Sequence, residues 1–372
     1  MSKAQRLERL SDLREELRLD AVVLTTPGNL HYFSGFRTTL YTRFNGLVVT
    51  AAADPILITS YVDEQLAKKE IWGPVWVRDI RIHGPIQRPD VVPLYVDALK
   101  PALGGARKVG VDAITLGVAR EFEAAMPGIE LVEISPRLAS IRFQKDEEEI
   151  GKMRRASEIG VACLEAARDI LARPGVTELE LGAELEFQAR RMGADGWGYP
   201  ILFSAGEKVA APHAPPQAVP IARDVPFVRL GFSPMFEGYT TSLLRTYCRE
   251  PNALTRRYES AFADAIAGLQ AMLRPGVTVQ DILKSVAATY QAHGVRSAWG
   301  GDMGYSLGVT VQEPPRIGGT DNTVIQSNCV LALMPGLRTP GEATFHHSDT
   351  FVVGEASCEA LCNRLQGIVV YG

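Results

Sequence analysis

The sequence predicts an α+β fold in two domains, a small α/β domain over residues 1–140 and a larger domain over residues 141–372. The first observation is the length of 372 residues, because single hydrophobic cores rarely grow beyond about 250–300 residues. The second is a change near residue 140, where short alternating elements give way to a long amphipathic helix. The third is that later strands lack regular strand–helix–strand spacing, which disfavours a doubly wound sheet.

The elements of the first domain follow from hydrophobic spacing. Residues 3–18 predict a helix, because four leucines recur on one helical face: Leu7, Leu10, Leu13 and Leu17. A second helix is predicted near 116–126, and Pro27-Gly28-Asn29 indicates a turn. Apolar, β-rich runs predict strands at 20–26, 45–52, 55–60, 108–113 and 129–134.

The second domain begins with a connector from residue 135 and then a long helix from Asp146 to about residue 171. Acidic residues fill the first turn of this helix, where the helix dipole favours negative charge. Further helices are predicted at 177–192, 254–273 and 278–293. Strands are predicted near 200–204, 225–233, 238–248, 304–311, 329–334 and 348–354.

The composition excludes several classes of protein. The chain has 39 Lys and Arg against 43 Asp and Glu, a net charge of −4 that gives no electrostatic footprint for nucleic acid or an anionic membrane. No apolar run approaches the about 18 residues of a membrane-spanning helix. The charged start lacks the apolar core of a signal peptide. We therefore expect a cytoplasmic protein without nucleic-acid or membrane partners, its five scattered cysteines reduced.

Short motifs occur in a defined order along the chain. They are Asn29-Leu30-His31-Tyr32-Phe33-Ser34-Gly35-Phe36, Ile141-Arg142 with Lys145, Phe203-Ser204-Ala205-Gly206 with Pro212-His213, Gly238-Tyr239 with Arg245-Thr246, Gln312-Glu313-Pro314-Pro315, and Met334-Pro335-Gly336. Together they resemble the creatinase/aminopeptidase P/prolidase family over essentially the whole chain. The resemblance implies a creatinase-like amino-terminal domain, a pita-bread catalytic domain and a homodimer.

Active members of that family hold two divalent cations with two Asp, one His and two Glu side chains, which activate water and polarise a carbonyl. The resemblance places these five ligands at Gly231, Ser242, Tyr305, Met334 and Ser348. None of the five residues carries a carboxylate or an imidazole, and Gln312 replaces a further family histidine. We therefore expect no metal and no other cofactor, as in creatinase, a metal-free member of the family.

Creatinase also implies roles for particular residues. Its catalytic histidine corresponds to His213, which we expect to act as the acid/base; a surface loop histidine is the alternative. Its carboxylate-binding arginine, which crosses the dimer interface, corresponds to Arg43, with Tyr41 as an aromatic neighbour; a solvated loop arginine is the alternative. Arg316 corresponds to a second such arginine. The two catalytic glutamates of creatinase fall at apolar positions, so creatine is not the expected substrate.

Strand alternation gives an independent prediction, because residues two apart share a face. Arg229 lies two residues before Gly231, and His346 lies two before Ser348, so both are expected to point into the former metal cavity. The alternatives are an edge-strand arginine and a structural histidine. Tyr305 is expected either to stabilise oxyanion charge or to fill the space left by the metals.

The function predicted from these residues is metal-independent hydrolysis of a C–N bond in a small carboxylate-bearing substrate, with catalysis by His213, Tyr305 and His346. Arg229, together with Glu313 as an orienting group, completes the expected binding set. A lyase, decarboxylase or isomerase acting in the same pocket is the second possibility. A non-catalytic protein that keeps the fold is the third, since function belongs to sites rather than folds.

Overall fold

The computed structural model describes residues 2–38, 44–84, 91–206, 208, 211, 213–295, 302–339, 343–362 and 364–372. The chain divides into two compact units, Met1–Arg142 and Phe143–Gly372. Each unit has hydrophobic clusters of its own.

The first unit is built on a mixed sheet. Its strands are β1 (Ala21–Leu24), β2 (Gly46–Thr50), β3 (Ile56–Ser60), β4 (Asp79–His83), β5 (Lys108–Val111) and β6 (Glu130–Glu133). They lie in the order β4-β3-β2-β1-β5-β6, with β1–β2 and β2–β3 antiparallel and the other neighbours parallel. The helices are α1 (Lys3–Glu16), α2 (Pro27–Ser34), α3 (Glu64–Lys68), α4 (Val91–Leu103), α5 (Leu116–Ala125) and α6 (Ser135–Phe143).

Two local predictions for this part of the chain are wrong. The predicted turn at Pro27 is the start of α2, because proline suits the first turn of a helix, where its missing N–H removes no hydrogen bond. That helix ends at Gly35, whose φ of 79° is left-handed and whose added Cβ would lie 2.1 Å from the Pro74 carbonyl oxygen. The predicted connector after residue 135 is instead helix α6.

The second unit contains the long predicted helices. They are α7 (Glu147–Leu171), α8 (Glu178–Arg191), α9 (Ala253–Met272) and α10 (Val279–Ala292). Each starts with a capping box, in which the N-cap side chain and the third helical residue bond each other's backbone N–H; the N-caps are Asp146, Thr177, Asn252 and Thr278. The helical starts predicted from sequence are therefore confirmed within one or two residues.

The strands of the second unit are β7 (Gly196–Trp197), β8 (Leu202–Ala205), β9 (Val228–Phe232), β10 (Pro234–Phe236), β11 (Tyr239–Thr240), β12 (Leu243–Cys248), β13 (Gly304–Ser306), β14 (Glu313–Arg316), β15 (Val330–Leu333), β16 (Leu337–Thr339), β17 (Ala343–Phe345), β18 (Asp349–Val353), β19 (Cys358–Ala360) and β20 (Ile368–Val370). They form sheets in the orders β11-β10-β7, β20-β12-β9-β8, β14-β13-β15-β18-β19 and β16-β17.

Two hydrophobic clusters support these sheets. One packs α7 and α8 against the strands β8, β9 and β12, with Phe203 and Leu230 among its buried side chains. The other packs α9 and α10 against the sheet that contains β15 and β18, around Phe262 and Phe345. Among the residues described, no helix combines the length and apolar character that crossing a membrane requires.

Candidate active site

The centre of the site is laid out by three neighbouring antiparallel strands, β8, β9 and β12. Leu202, Gly231 and Leu244 lie side by side in register across them. Because residues two apart share a strand face, Arg229 lies in the next row of the same face, between Ser204 and Thr246.

Leu244 fills the space beside Gly231. A Cβ added to Gly231 would lie 3.1 Å from Leu244 Cδ1 and 3.2 Å from Leu244 Cγ. These distances are shorter than ordinary van der Waals contact, so Leu244 would have to shift before position 231 accepted any side chain. The apolar side chain at 244 and the glycine at 231 are thus a matched pair.

A cavity of about 380 Å³ opens over this face, within the Phe143–Gly372 unit. Its described lining combines apolar and hydrogen-bonding side chains and contains no Asp or Glu: Tyr199, Leu202, His213, Leu244, Tyr305, Val311, Gln312, Met334 and His346. The volume is that of a small-molecule site.

The five positions at which the resemblance places metal ligands lie in or next to the lining of this cavity. Tyr305 and Met334 line it, and Gly231 lies next to the lining Leu244. Ser242 Oγ lies 3.1 Å from the Tyr305 hydroxyl and 3.0 Å from the Tyr199 hydroxyl. Ser348 pairs with Leu244 through two backbone hydrogen bonds, and its Oγ donates to the Ser242 carbonyl oxygen at 3.3 Å.

These residues do not fit a pair of divalent cations. Hard cations need several carboxylate or imidazole ligands, whereas the five positions offer hydroxyl groups, a thioether and a glycine. The hydroxyl group of Ser242 is already held by two phenols. Within the described residues, no three His, Cys, Asp or Glu side chains are gathered as a metal site requires.

Arg229 lies behind the cavity lining and is 2% exposed. Its Nη2 donates to Ser204 Oγ at 2.8 Å and to the Ala211 carbonyl oxygen at 3.0 Å. Burial lowers the pKa of Arg229 to about 10, so the guanidinium stays protonated at neutral pH. The guanidinium forms no ion pair with any carboxylate in the described residues, and it therefore adds positive potential to the site.

His346 lines the cavity and contacts this cation, its Nδ1 lying 3.4 Å from Arg229 Nη1. A guanidinium can only donate, so Nδ1 is the accepting nitrogen and the imidazole is neutral with its proton on Nε2. Burial, then Arg229 and then His213 lower the pKa of His346 well below its ordinary value. His213 itself is exposed and lines the cavity.

His347 is directed elsewhere, into a buried network below the site. Its Nε2 lies 2.9 Å from Asp349 Oδ2, and Asp349 Oδ1 accepts from Arg245 Nη2 at 2.6 Å. Burial alone would raise the pKa of Asp349, but Arg245 and His347 hold it well below its usual range. This network joins β12 to β18 away from the cavity lining.

Glu313 and Arg316, both expected to bind substrate, are not among the lining residues. Glu313 is buried, with Oε2 3.7 Å from Lys145 Nζ and Oε1 accepting from Thr310. Arg316 donates to Asp302 Oδ2 at 2.6 Å and to Gln312 Oε1 at 3.0 Å. The structure thus holds Glu313 in an ion pair and Arg316 beside the lining Gln312. Arg43 and Tyr41 lie outside the described residues.

Tyr199 is a site residue that sequence reasoning missed. It lies in the short segment between β7 and β8, in Gly198-Tyr199-Pro200, where no periodicity identifies a face. Its hydroxyl reaches Ser242, which is 43 residues away in the chain. Val311 and Leu202 were also not anticipated as lining residues.

Comparisons with known proteins identify both parts of the chain. Residues 151–355 match the profile of Metallopeptidase family M24, and residues 6–144 match the Creatinase/Prolidase N-terminal domain. Two relatives come from Bacillus subtilis. The uncharacterized peptidase YqhT is 25% identical over 371 residues, 98% of this chain and 99% of that protein. The putative dipeptidase YkvY is 23% identical over 340 residues, 90% of this chain and 91% of that protein.

A solved structure with the same fold is the Xaa-Pro dipeptidase from Bacillus anthracis. The TM-score is 0.86 at 21% identity, covering 99% of this chain and 100% of that chain. The predicted architecture, a small creatinase-type amino-terminal domain followed by a pita-bread domain, is confirmed.

Proposed function

This chain belongs to metallopeptidase family M24, a family of hydrolases, and we propose that it hydrolyses a C–N bond of a small carboxylate-bearing substrate without a metal ion. The observation that carries the proposal is a cavity that His213 lines and whose described lining contains no carboxylate. Dipeptides, the substrates named for some relatives, fall within this substrate class, since they carry both an amide C–N bond and a carboxylate.

In the proposed reaction His213 accepts a proton from water as the water oxygen attacks the carbonyl carbon. The carbonyl π electrons move to the oxygen, and that oxygen accepts hydrogen bonds from Tyr305 and His346, with Arg229 behind them. An electron pair on that oxygen then re-forms the C=O double bond as the C–N bond breaks, and His213 gives the proton to the leaving nitrogen. The products are a carboxylic acid and an amine, and no metal takes part.

Substrate binding in this proposal has an apolar and an ionic part. Leu202, Leu244 and Met334 provide an apolar wall. Arg43, in the proposed homodimer, binds the substrate carboxylate across the interface, with Tyr41 beside it. That role and the dimer stay predictions.

The test is hydrolysis of a panel of dipeptides, N-acyl amino acids and N-carbamoyl amino acids, followed by amine release, with and without EDTA. We expect one class to be cleaved equally in both conditions. His213→Asn should lower the rate by about 10²–10⁴-fold, the usual worth of a general acid–base. His293→Asn is the matched control, since His293 pairs with Asp264 and does not line the cavity. Activity that appears only with added Mn²⁺ would contradict the proposal.

A non-hydrolytic reaction is the second candidate, because no carboxylate among the described lining residues is present to assist a water molecule. A lyase, decarboxylase or isomerase would use His213 and the same hydrogen-bond donors. Turnover in ¹⁸O-labelled water distinguishes the two. A hydrolase places the label in the carbonyl product, and a lyase does not.

A further inference from the structure

A chain of three hydroxyl groups has both of its ends on the cavity. The Tyr199 hydroxyl lies 3.0 Å from Ser242 Oγ, which lies 3.1 Å from the Tyr305 hydroxyl. Both tyrosines line the cavity, whereas Ser242 is fully buried. The three side chains therefore act as one hydrogen-bonded unit.

The number of hydrogens in this unit exceeds the number of bonds within it. Each hydroxyl carries one hydrogen, and the two internal contacts use two of the three. One hydrogen is left to donate outside the chain. When Tyr305 donates it, Tyr199 donates to Ser242 and Ser242 donates to Tyr305, so that each bond polarises the next.

The middle serine is anchored before any ligand arrives. The Ser242 backbone N–H donates to Thr350 Oγ1 at 3.1 Å. Its carbonyl oxygen accepts from Thr350 Oγ1 at 3.2 Å and from Ser348 Oγ at 3.3 Å. Donors that are already oriented stabilise developing charge without a cost of reorganisation.

The charges around the unit favour an acceptor that carries negative charge. Burial raises the pKa of both Tyr199 and Tyr305, so each phenol keeps its hydrogen at neutral pH. The described lining contains no carboxylate, and the Arg229 guanidinium contacts the lining His346. Such surroundings attract an anionic oxygen and disfavour a cation.

We propose that Tyr199 and Tyr305, coupled through Ser242, form the donor site for the substrate oxygen that gains negative charge. The rest of the ligand lies against the apolar side chains of Leu202, Leu244 and Met334. The assignment rests on the proposed function, because this oxygen belongs to the carbonyl group that water attacks. Tyr305 donates the remaining hydrogen to that oxygen, and Tyr199 and Ser242 are positioning residues that orient and polarise the Tyr305 hydroxyl.

The test uses 4-nitrophenol, whose absorbance distinguishes bound phenolate from bound phenol, and 4-nitroanisole, a neutral analogue of similar shape. The wild-type protein should bind the phenolate. Tyr305→Phe should weaken phenolate binding by about tenfold or more, as expected for a hydrogen bond to a charged group. Tyr199→Phe should weaken it by a smaller factor, because Tyr199 acts through Ser242. Neither variant should change 4-nitroanisole binding. Ser242→Ala should weaken phenolate binding too, and Tyr199→Phe should add little in that background, since the chain is already broken.

Tyr247→Phe is the matched control, because it removes a buried hydroxyl bonded to the Leu164 carbonyl oxygen away from the cavity lining. It should bind both probes as the wild-type protein does. The proposal is overturned if the bound probe is neutral phenol, if either cavity variant keeps full phenolate affinity, if both probes are lost together, or if the wild-type protein binds neither probe.

The binding test does not depend on turnover. If the protein discriminates between the probes as expected but cleaves no C–N bond, the proposed function is wrong and the donor site stands. If the enzyme is active but its phenylalanine variants keep their phenolate affinity, only the donor-site proposal is wrong.

Discussion

At the scale of single residues, the site is set by side chains whose ionisation is determined by their neighbours. Arg229 is a buried cation, and its contact with Nδ1 of His346 requires a neutral imidazole. A neutral histidine with its proton on Nε2 is a hydrogen-bond donor at any pH above its own low pKa. Arg229 therefore adds positive charge to the site through its contact with His346, although Arg229 itself does not line the cavity.

The stability of the protein should therefore depend on His346 at acid pH. The pKa of this histidine is lowered well below its ordinary value in the folded protein and is about 6.5 in the unfolded chain. Below about pH 6.5 the unfolded chain binds a proton that the folded protein does not, so stability present at higher pH is lost as pH falls. The slope for one such group is about 1.4 kcal/mol per pH unit.

His346→Gln should remove the His346 contribution to the slope of unfolding free energy against pH. Urea unfolding measured from pH 8 down to 5 gives that slope. His347, whose pKa is also lowered by burial and by Arg245, remains in both proteins and leaves its own contribution. Above about pH 8 the two stability curves should run parallel, which serves as the internal control. Identical acid slopes would mean that His346 is not held neutral.

At the scale of elements, a buried ion pair connects the start of α7 to the β13–β14 hairpin. Lys145 Nζ lies 3.7 Å from Glu313 Oε2, and both side chains are 1% exposed. Lys145 also donates to the Phe143 carbonyl oxygen and to Ser306 Oγ. Glu313, which was expected to bind substrate, is thus held in a structural ion pair. Its register partner on β13 is Ser306, which Lys145 also contacts.

Breaking this pair on one side should cost more than removing both partners. Lys145→Met leaves the Glu313 carboxylate buried without its cation, which should lower the free energy of unfolding by about 3–5 kcal/mol. The double variant Lys145→Met/Glu313→Leu should recover most of the loss, because no uncompensated charge remains. Denaturant unfolding measures both.

The exposed pair of Arg154 and Glu359 is the control for that experiment. Its Arg154 Nη2 lies 2.7 Å from Glu359 Oε2, but the side chains are 40% and 48% exposed. Arg154→Ala should cost less than about 1 kcal/mol, since solvent screens the pair. If Lys145→Met and the double variant lower the free energy of unfolding equally, the uncompensated Glu313 carboxylate is not the source of the loss.

At the scale of the whole molecule, the chain keeps the family architecture around a cavity whose described lining contains no carboxylate. The residues Gly231, Ser242, Tyr305, Met334 and Ser348 offer no carboxylate or imidazole and do not fit two divalent cations, and Leu244 fills the space next to Gly231. Each unit is supported by its own hydrophobic clusters. The core, rather than bound cations, is therefore expected to supply the stability.

Thermal unfolding should accordingly be insensitive to divalent metal ions. A ligand that binds only the folded state raises the free energy of unfolding by RT ln(1 + [L]/Kd), about 2.7 kcal/mol at a hundredfold excess over Kd. We expect no such shift in Tm with Mn²⁺ or Zn²⁺, and none on adding EDTA. KCl at equal ionic strength controls for screening. A saturable rise in Tm that EDTA reverses would show that the chain binds a metal after all.

The sequence by itself determined what depends on neighbours along the chain or on the identity of one residue. Helices α7 to α10 were predictable because their capping boxes and apolar spacing are local signals. The poor fit of positions 231 and 334 to a hard cation follows from residue identity, because glycine has no side-chain ligand atom and the methionine thioether prefers soft metals. Where a local signal had two meanings, as at Pro27, prediction failed, since proline suits both a turn and a first helical turn.

Only the tertiary structure decided which side chains meet. Tyr199 reaches Ser242 across 43 residues, and Arg229 contacts His346 across 117. Lys145 forms an ion pair with Glu313, and Leu244 occupies the space beside Gly231. Strand alternation predicts a face for Arg229 and His346, but no pattern along the chain encodes which side chains touch, because the strands pair and pack only once the whole unit has folded. For that reason the residues of the site were partly predictable, whereas their hydrogen bonds and charges were not.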